Sequence, residues 1–490
     1  MGQRSNFYVD VRALHSEVTG SCFVCKISFS NGEKRFFLVD IGMFQEKEYL
    51  DWNEKLTFNP EDIAFTLLTH NHVDHVGRLP LLYRRGCKSK VYASVGTAMA
   101  LPINLEDTLK IFLEKKKNSK KLSMRPENRN NGFKSQYYSE LYKKEDVEQV
   151  YDYLTPVEYG EWNTDEKLPN VSFKFLPNAH LPGAAMIWVK IEDKDVEQTV
   201  NLLFLGDWNV SNVFQGKFDF PEELREVPLH VISEATYGDT KKEEISQSFQ
   251  QNIVEAIENS KLVLLPVISQ YRAQEMLWYV KKMKEQGRIM YDTPVYFAGP
   301  LGMKYTKLYQ EDEFPGFIAG RKDFLPGSLE ILNAKGALKN IPIDSGIYVV
   351  TGGMGSNGPS QSYLGKFLPY ENVLVQFTSY CAEDTVGRKL QETGQGEEIV
   401  IGGKLVQKNA DVRFTSEFSG HAKADELLKF ISGFLKIKVL IVAHGDTDKK
   451  KAFKRLVEDA NVAKEVTIVD RNNYVRLNPW GILDKKIWKD

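Results

Sequence analysis

The chain of 490 residues balances 64 Lys and Arg against 66 Asp and Glu, a formal net charge of −2, and is 42% hydrophobic and 27% charged. This is the composition of a globular protein with room for two or three domains of ~100–200 residues. It excludes a polycation that coats nucleic acid through its overall charge, so any such contact must depend on a local basic patch.

Met1–Asp10 has no apolar signal-peptide core, and no run of ~18 apolar residues follows. The four cysteines include the pair Cys22 and Cys25. That pair lies in a strand-like run with no second Cys or Cys/His pair nearby, so packed thiols and a cytoplasmic protein with no membrane span are expected.

Short apolar runs bounded by turn residues predict strands over Cys22–Ile27, Arg35–Val39, Ala64–Leu68, Val171–Phe175, Met186–Ile191 and Asn201–Leu205. Helices are expected over Gly77–Arg85 and Ala98–Glu114. Strands dominate, which predicts an α/β sandwich with helices packed outside it rather than a doubly wound sheet. Lys115–Ser135 is polar and rich in Lys, Arg and Asn, and reads as a mobile excursion. From about Glu234 the rhythm changes. Helical spacing at Phe249, Ile253, Ala256 and Ile257 is followed by a strand at Lys261–Pro266 and a helix at Arg272–Glu285. Further strands are expected at Pro294–Phe297, Ile347–Val350 and Val373–Phe377. Strand–helix alternation predicts a mostly parallel sheet in an inserted domain over 216–408. Short strands at Val412–Phe414 and Val439–Val442 then return the chain to the first domain, which is expected over 1–215 and 409–490.

The most informative segment is Thr69-His70-Asn71-His72-Val73-Asp74-His75, directly after the strand-like Leu67-Leu68. Three of the eight histidines in the chain fall within it. Alternate residues of extended chain point the same way, so His70 and His72 can grip one ion while Asp74 and His75 reach a second. Imidazole with carboxylate suits Zn²⁺, whose catalytic sites leave one position open for water. Three later positions, His180, Asp207 and His444, each follow an apolar strand, as does Asp40. Strand ends share one rim of a sheet, where a site can be assembled from distant sequence.

The order Asp40, His70-x-His72-x-Asp74-His75, His180, Asp207 resembles the metallo-β-lactamase superfamily. Ser233-Glu234-Ala235-Thr236-Tyr237-Gly238, Phe418-Ser419-Gly420-His421-Ala422 and Val442-Ala443-His444-Gly445 resemble the three signatures of its β-CASP branch of nucleic-acid-processing enzymes. Arg272-Ala273-Gln274-Glu275 and Thr385-Val386-Gly387-Arg388 agree with that branch. The pattern looks closest to the endonuclease subunit of the cleavage-and-polyadenylation specificity factor and its prokaryotic relatives. The fold implied is an αββα sandwich with an inserted β-CASP domain.

The resemblance further implies two zinc ions, one on His70, His72 and His180, the other on Asp74, His75 and His444, with Asp207 between them. Asp40 would orient a ligand imidazole or the bridging water. His421 would be the general acid and Glu234 its orienting carboxylate, raising the imidazole pKa and fixing its tautomer. A histidine at the third signature goes with RNA-processing members, so single-stranded RNA is the expected substrate, cut by endonuclease or 5′-exonuclease action. A homodimer or an RNA-processing complex is the assembly implied. Arg272, Lys304 and Arg388 are candidate backbone contacts. His15 and His230 match no motif and read as structural or solvated.

Several positions depart from the family pattern. Thr240 stands where Arg is frequent, Gln270-Tyr271 where Val-Gly is usual, and Lys423 where the second signature often has Asp. Thr351–Gly355 is only loosely similar to a Ser-Ser-Gly-Met stretch. These touch the phosphate-binding wall and put substrate preference in question. The rival readings are a DNA-directed nuclease of the same branch, a small-molecule zinc hydrolase such as a thioesterase or lactonase, and an inactive scaffold.

Overall fold

The computed structural model describes residues 6–15, 17–123, 141–242, 248–332, 338, 346–415 and 417–487. They form two compact units, Met1–Lys242 with Gly420–Asp490, and Glu243–Ser419.

The first unit is a sandwich of two sheets. One has eight strands, in the order Gly481–Ile487, Asn473–Asn478, Tyr8–Ala13, Phe23–Ser28, Lys34–Val39, Ile63–Leu68, Lys90–Ser94 and Leu154–Val157. The other has seven, in the order Ala463–Ile468, Ile437–Val442, Leu229–Ser233, Gln198–Phe204, Ala185–Asp193, Val171–Pro177 and Trp162–Thr164. Alternation along the strands explains the packing, because side chains point to opposite faces with period two. Val9, Val11, Cys25, Ile27, Phe37 and Val39 from one sheet meet Phe173, Phe175, Ile187, Val189, Leu202 and Phe204 from the other in a buried core. The outer face of the first sheet is covered by the helices Leu79–Arg84, Val95–Ser123 and Lys144–Tyr153, through residues such as Leu82, Leu101, Leu105 and Val147. On the second sheet the helices Ala424–Ile431 and Thr447–Asp459 bury Leu427, Ile431, Phe453 and Val457. The layers therefore run helix, sheet, sheet, helix, as expected.

The second unit holds a six-stranded parallel sheet, in the order Leu329–Ile331, Val295–Ala298, Gly346–Thr351, Leu262–Val267, Val373–Phe377 and Asp411–Phe414. Helices Ser248–Glu258, Arg272–Glu285, Pro300–Gln310, Gly358–Phe367 and Val386–Glu392 alternate with these strands.

The sheet ladders place the junctions at 242/243 and 419/420 rather than at 215/216 and 408/409. Leu229–Ser233 pairs on both sides within the seven-stranded sheet, which keeps the residues leading to it in the first unit. Asp411–Phe414 pairs in parallel with Val373–Phe377, so it belongs to the insert and not to the returning segment. Apolar pattern alone does not say which sheet a four-residue strand joins.

The expected polar excursion is helical as far as Ser123, the end of the helix Val95–Ser123. Lys and Leu are strong helix formers, and no Gly or Pro falls between Lys115 and Pro126. The rest of that excursion, from 124 onward, lies outside the described residues. All four cysteines are free and buried. Among the described residues no helix is long and apolar enough to cross a membrane.

Candidate metal centre

The candidate metal donors of the first unit sit at or just beyond strand ends along one rim of the sandwich. The strand Ile63–Leu68 ends at the loop carrying His70 and His72, and His75 follows in the single turn Val73–Val76. His180 comes three residues after Val171–Pro177, Asp207 three after Gln198–Phe204, and His444 two after Ile437–Val442. Asp40 follows Lys34–Val39 with φ +59°, and His444 has φ +42°, a left-handed backbone that costs free energy for a non-glycine residue and is held by its surroundings.

These residues converge. His70, His72, His180 and Asp207 offer donor atoms that all lie within 4.8 Å of one another, and so do Asp74, His75 and His444. Asp207 stands between the groups. Its Oδ2 faces His70 Nε2 at 3.6 Å and His180 Nε2 at 3.7 Å, while its Oδ1 faces His75 Nε2 at 3.4 Å and His444 Nε2 at 3.2 Å. Yet His70 Nε2, His75 Nε2, Asp207 Oδ1 and both ring nitrogens of His444 make no hydrogen bond among the described residues. Buried polar atoms are rarely left so. Imidazole and carboxylate lone pairs aimed at common points are the donor set a Zn²⁺ ion takes, so the residues fit a metal.

Burial shapes the charges. It pushes His70 and His180 well below the ordinary histidine range, which keeps their lone pairs available. For His75 burial acts the same way, but the negative charges of Asp207 and Asp40 outweigh it and raise the ring's pKa well above that range. Burial would raise Asp207, but the charges of His444, His75, His421 and His70 win and hold its carboxyl well below the usual range.

A supporting layer orients the donors. Asp40 accepts from Thr69 N at 2.8 Å and Thr69 Oγ1 at 2.7 Å, and bonds His75 Nδ1 at 2.7 Å. That contact leaves His75 Nε2 to face Asp207. His180 Nδ1–H donates to the Gly420 carbonyl at 2.6 Å. Asn178 was not anticipated from sequence: its Oδ1 accepts from His180 N, and its amide donates to the carbonyls of Leu205 and Asp207, locking two ligand loops together. The signal was an Asn two residues before a strand-end His, the spacing of a side-chain turn. Arg78 was missed as well. Fully buried, it donates to the carbonyls of Gly42, Trp52 and Lys55 and stacks over Phe44, fixing the loop after Asp40.

His421 and Glu234 meet as expected. His421 Nδ1 lies 2.8 Å from Glu234 Oε2, Glu234 Oε1 accepts from Trp208 N at 2.6 Å, and His421 Nε2 is 3.8 Å from Asp207 Oδ2. Burial alone would lower His421, but Glu234 and then Asp207 pull it up to about 9. His15 and His230 stay outside the ligand set. His15 is buried edge-on to Phe23, with its ring centroid 6.0 Å from that of His444, and His230 bonds the Asn478 carbonyl through Nε2.

The candidate backbone contacts of the second unit divide. Arg272 is only 6% exposed, pairs with Glu275, and lies over the rings of Phe418 and Tyr271. Its guanidinium is paired with Glu275 inside its own unit. Lys304 is exposed on Pro300–Gln310, and Arg388 is half-buried and donates to Gln391.

Sequence comparison agrees with this geometry. Residues 20–197 match the Metallo-beta-lactamase superfamily, 273–390 the Beta-Casp domain, and 405–469 the Zn-dependent metallo-hydrolase RNA specificity domain. A ribonuclease of Thermus thermophilus is 29% identical over 453 residues, 90% of this chain and 94% of that protein. An RNase J-like protein of Methanocaldococcus jannaschii is 26% identical, over 86% and 89% respectively. An Integrator complex subunit 11 homolog of Dictyostelium discoideum is 26% identical, over 88% of this chain but 56% of its own length. With the αββα sandwich, the convergent His and Asp side chains and these matches together, the chain has the metallo-β-lactamase fold with a β-CASP insertion and is a metal-dependent hydrolase.

Proposed function

We propose that this chain is a ribonuclease that hydrolyses phosphodiester bonds of single-stranded RNA with two zinc ions. The observation that carries the reading is the pairing of a seven-residue donor set, shared through the two oxygens of Asp207, with the His421–Glu234 couple at its edge. His70, His72 and His180 would hold one ion, Asp74, His75 and His444 the other. When bound, such a pair supplies an activated water and charge stabilisation at the phosphate.

The protein's own part is proton transfer and orientation. Glu234 takes the Nδ1–H of His421, which leaves Nε2 on the side of Asp207 to protonate the departing sugar oxygen. Trp208 N–H fixes the other oxygen of Glu234, so the carboxylate cannot swing away. Asp40 holds His75 in the tautomer whose Nε2 lone pair is free. Relatives named as ribonucleases, and the RNA specificity domain matched at 405–469, support RNA as the substrate.

The test is one gel. Circular, 5′-phosphorylated and 5′-hydroxyl RNAs and a matched DNA strand are incubated with zinc-loaded protein and with Asp207→Ala. Metal-dependent cutting of RNA, lost in the variant, is expected, and cleavage of the circle would establish an endonuclease. Cutting of DNA alone, or of thioesters but no nucleic acid, would overturn the proposal.

A further inference from the structure

Next to the His421–Glu234 couple, two lysines converge on one tyrosine ring. Lys423 Nζ sits 3.6 Å from the centroid of Tyr237, and Lys449 Nζ sits 5.7 Å from it. The same ring meets His421 edge-on, with centroids 6.2 Å apart.

The backbone holds this arrangement from both sides. Gly238 packs so closely on the start of Thr447–Asp459 that an added Cβ would lie 2.4 Å from the Lys449 carbonyl oxygen and 2.8 Å from Phe453 Cβ. Ala424 N–H donates to the Thr240 carbonyl at 2.9 Å, tying the start of Ala424–Ile431 to the same turn. Glu426 receives Lys242 Nζ and Lys423 N–H, and Asp425 receives Lys242 N–H. Asp446 lies 3.2 Å from Lys449 Nζ, with its side chain 55% exposed.

Two ammonium groups over one ring can both attract an anion placed against them. The ring face holds them there in advance of binding, so less side-chain freedom is lost when the anion arrives. We propose that Tyr237, Lys423 and Lys449 form a phosphate subsite that holds the phosphate flanking the scissile one on the leaving-group side. The side follows from His421, which protonates the leaving oxygen and is the member of the centre that Tyr237 touches. The subsite rests on the ribonuclease reading and adds a determinant to it. Lys423 stands where the family signature often has an acid, so this chain grips the strand in its own way.

The test pairs protein and substrate changes. Single-stranded RNAs carrying one neutral methylphosphonate linkage at successive positions around a defined cleavage site are cut by wild type, Lys423→Gln, Lys449→Gln and Lys423→Arg, each checked for wild-type zinc content. With fully charged RNA, each Gln variant should raise KM by about five- to tenfold and flatten the salt dependence by ~0.7 in log–log slope. Lys423→Arg should keep most of the affinity. The neutral linkage next to the cut should weaken wild type by a similar factor and add nothing to the loss in Lys423→Gln. Equal, independent losses in both proteins would overturn the subsite while leaving the ribonuclease reading intact. Failure of wild type to cut any charged RNA would overturn both.

Discussion

Replacing Asp40 by Asn is a one-atom change that should disable half of the metal centre. The carboxylate accepts from Thr69 N and Thr69 Oγ1 and bonds His75 Nδ1, all at 2.7–2.8 Å, and Asp40 is 1% exposed. Asn can keep its oxygen toward Thr69 N, but its NH₂ group then faces His75 Nδ1. That ring nitrogen must become an acceptor, which moves the proton to Nε2, the atom that faces Asp207. A lone pair needed by an ion is thereby replaced by an N–H. Losing a charge-assisted hydrogen bond costs about 1.5–3 kcal/mol, and loss of a partner behind a ligand weakens metal binding about 10–100-fold. Competitive zinc titration should therefore show one ion bound with wild-type affinity and the other weakened within that range. Asp40→Ala, which lets the ring choose its tautomer, should be milder for the metal than Asn although it deletes more atoms. Two ions bound to Asp40→Asn with undiminished affinity would refute the tautomer argument.

His421→Ala should lower kcat on RNA by about 10²–10⁴ but far less on a p-nitrophenyl phosphodiester, whose leaving group departs without a proton; equal losses on both would show that His421 does something other than acid catalysis. Gly42→Ala would put a Cβ 1.5 Å from the Asp74 carbonyl oxygen, so a loss of roughly 3 kcal/mol or more in urea unfolding is expected together with release of zinc. Burial, against the hydrogen bond to the Asn478 carbonyl, lowers His230 to about 4. Its folded pKa lies below the unfolded value near 6.5, so the unfolded chain binds the extra proton and stability falls as pH drops through that window, by about 3 kcal/mol in total. Urea melts at pH 7.5 and 5 should show a drop that is smaller in His230→Gln by about 2 kcal/mol, the part of that contribution already lost at pH 5.

The donor set was readable because each member follows an apolar strand, and strand ends share a rim whichever sheet the strand enters. His180, Asp207 and His444 needed no knowledge of strand order to be placed together. The surroundings of Arg272 were less legible. Its motif marks a helix start, and nothing in the run Arg272–Glu275 says whether the cation faces solvent or its i+3 neighbour; the structure shows a buried pair with Glu275. Asp411–Phe414 was assigned to the wrong unit because the four residues carry no information about their partner strand. The Gly420 carbonyl that receives His180 leaves no trace in side-chain pattern at all, since any residue could present it. Lys423 was noticed as a departure, but its meaning came only with the ring of Tyr237 beneath it.

The insert separates Leu229–Ser233 from Ile437–Val442, yet these two strands are parallel neighbours in one sheet, and Tyr8–Ala13 pairs with Asn473–Asn478. During synthesis the ribosome must therefore deliver the whole insert before the first sheet can close or His421 and His444 can join the earlier ligands. Under the proposed function, a nascent or prematurely terminated chain that stops short of residue 421 would carry a partial donor set and lack the proposed proton donor, so the growing polypeptide would stay inert beside the messenger from which it is being read.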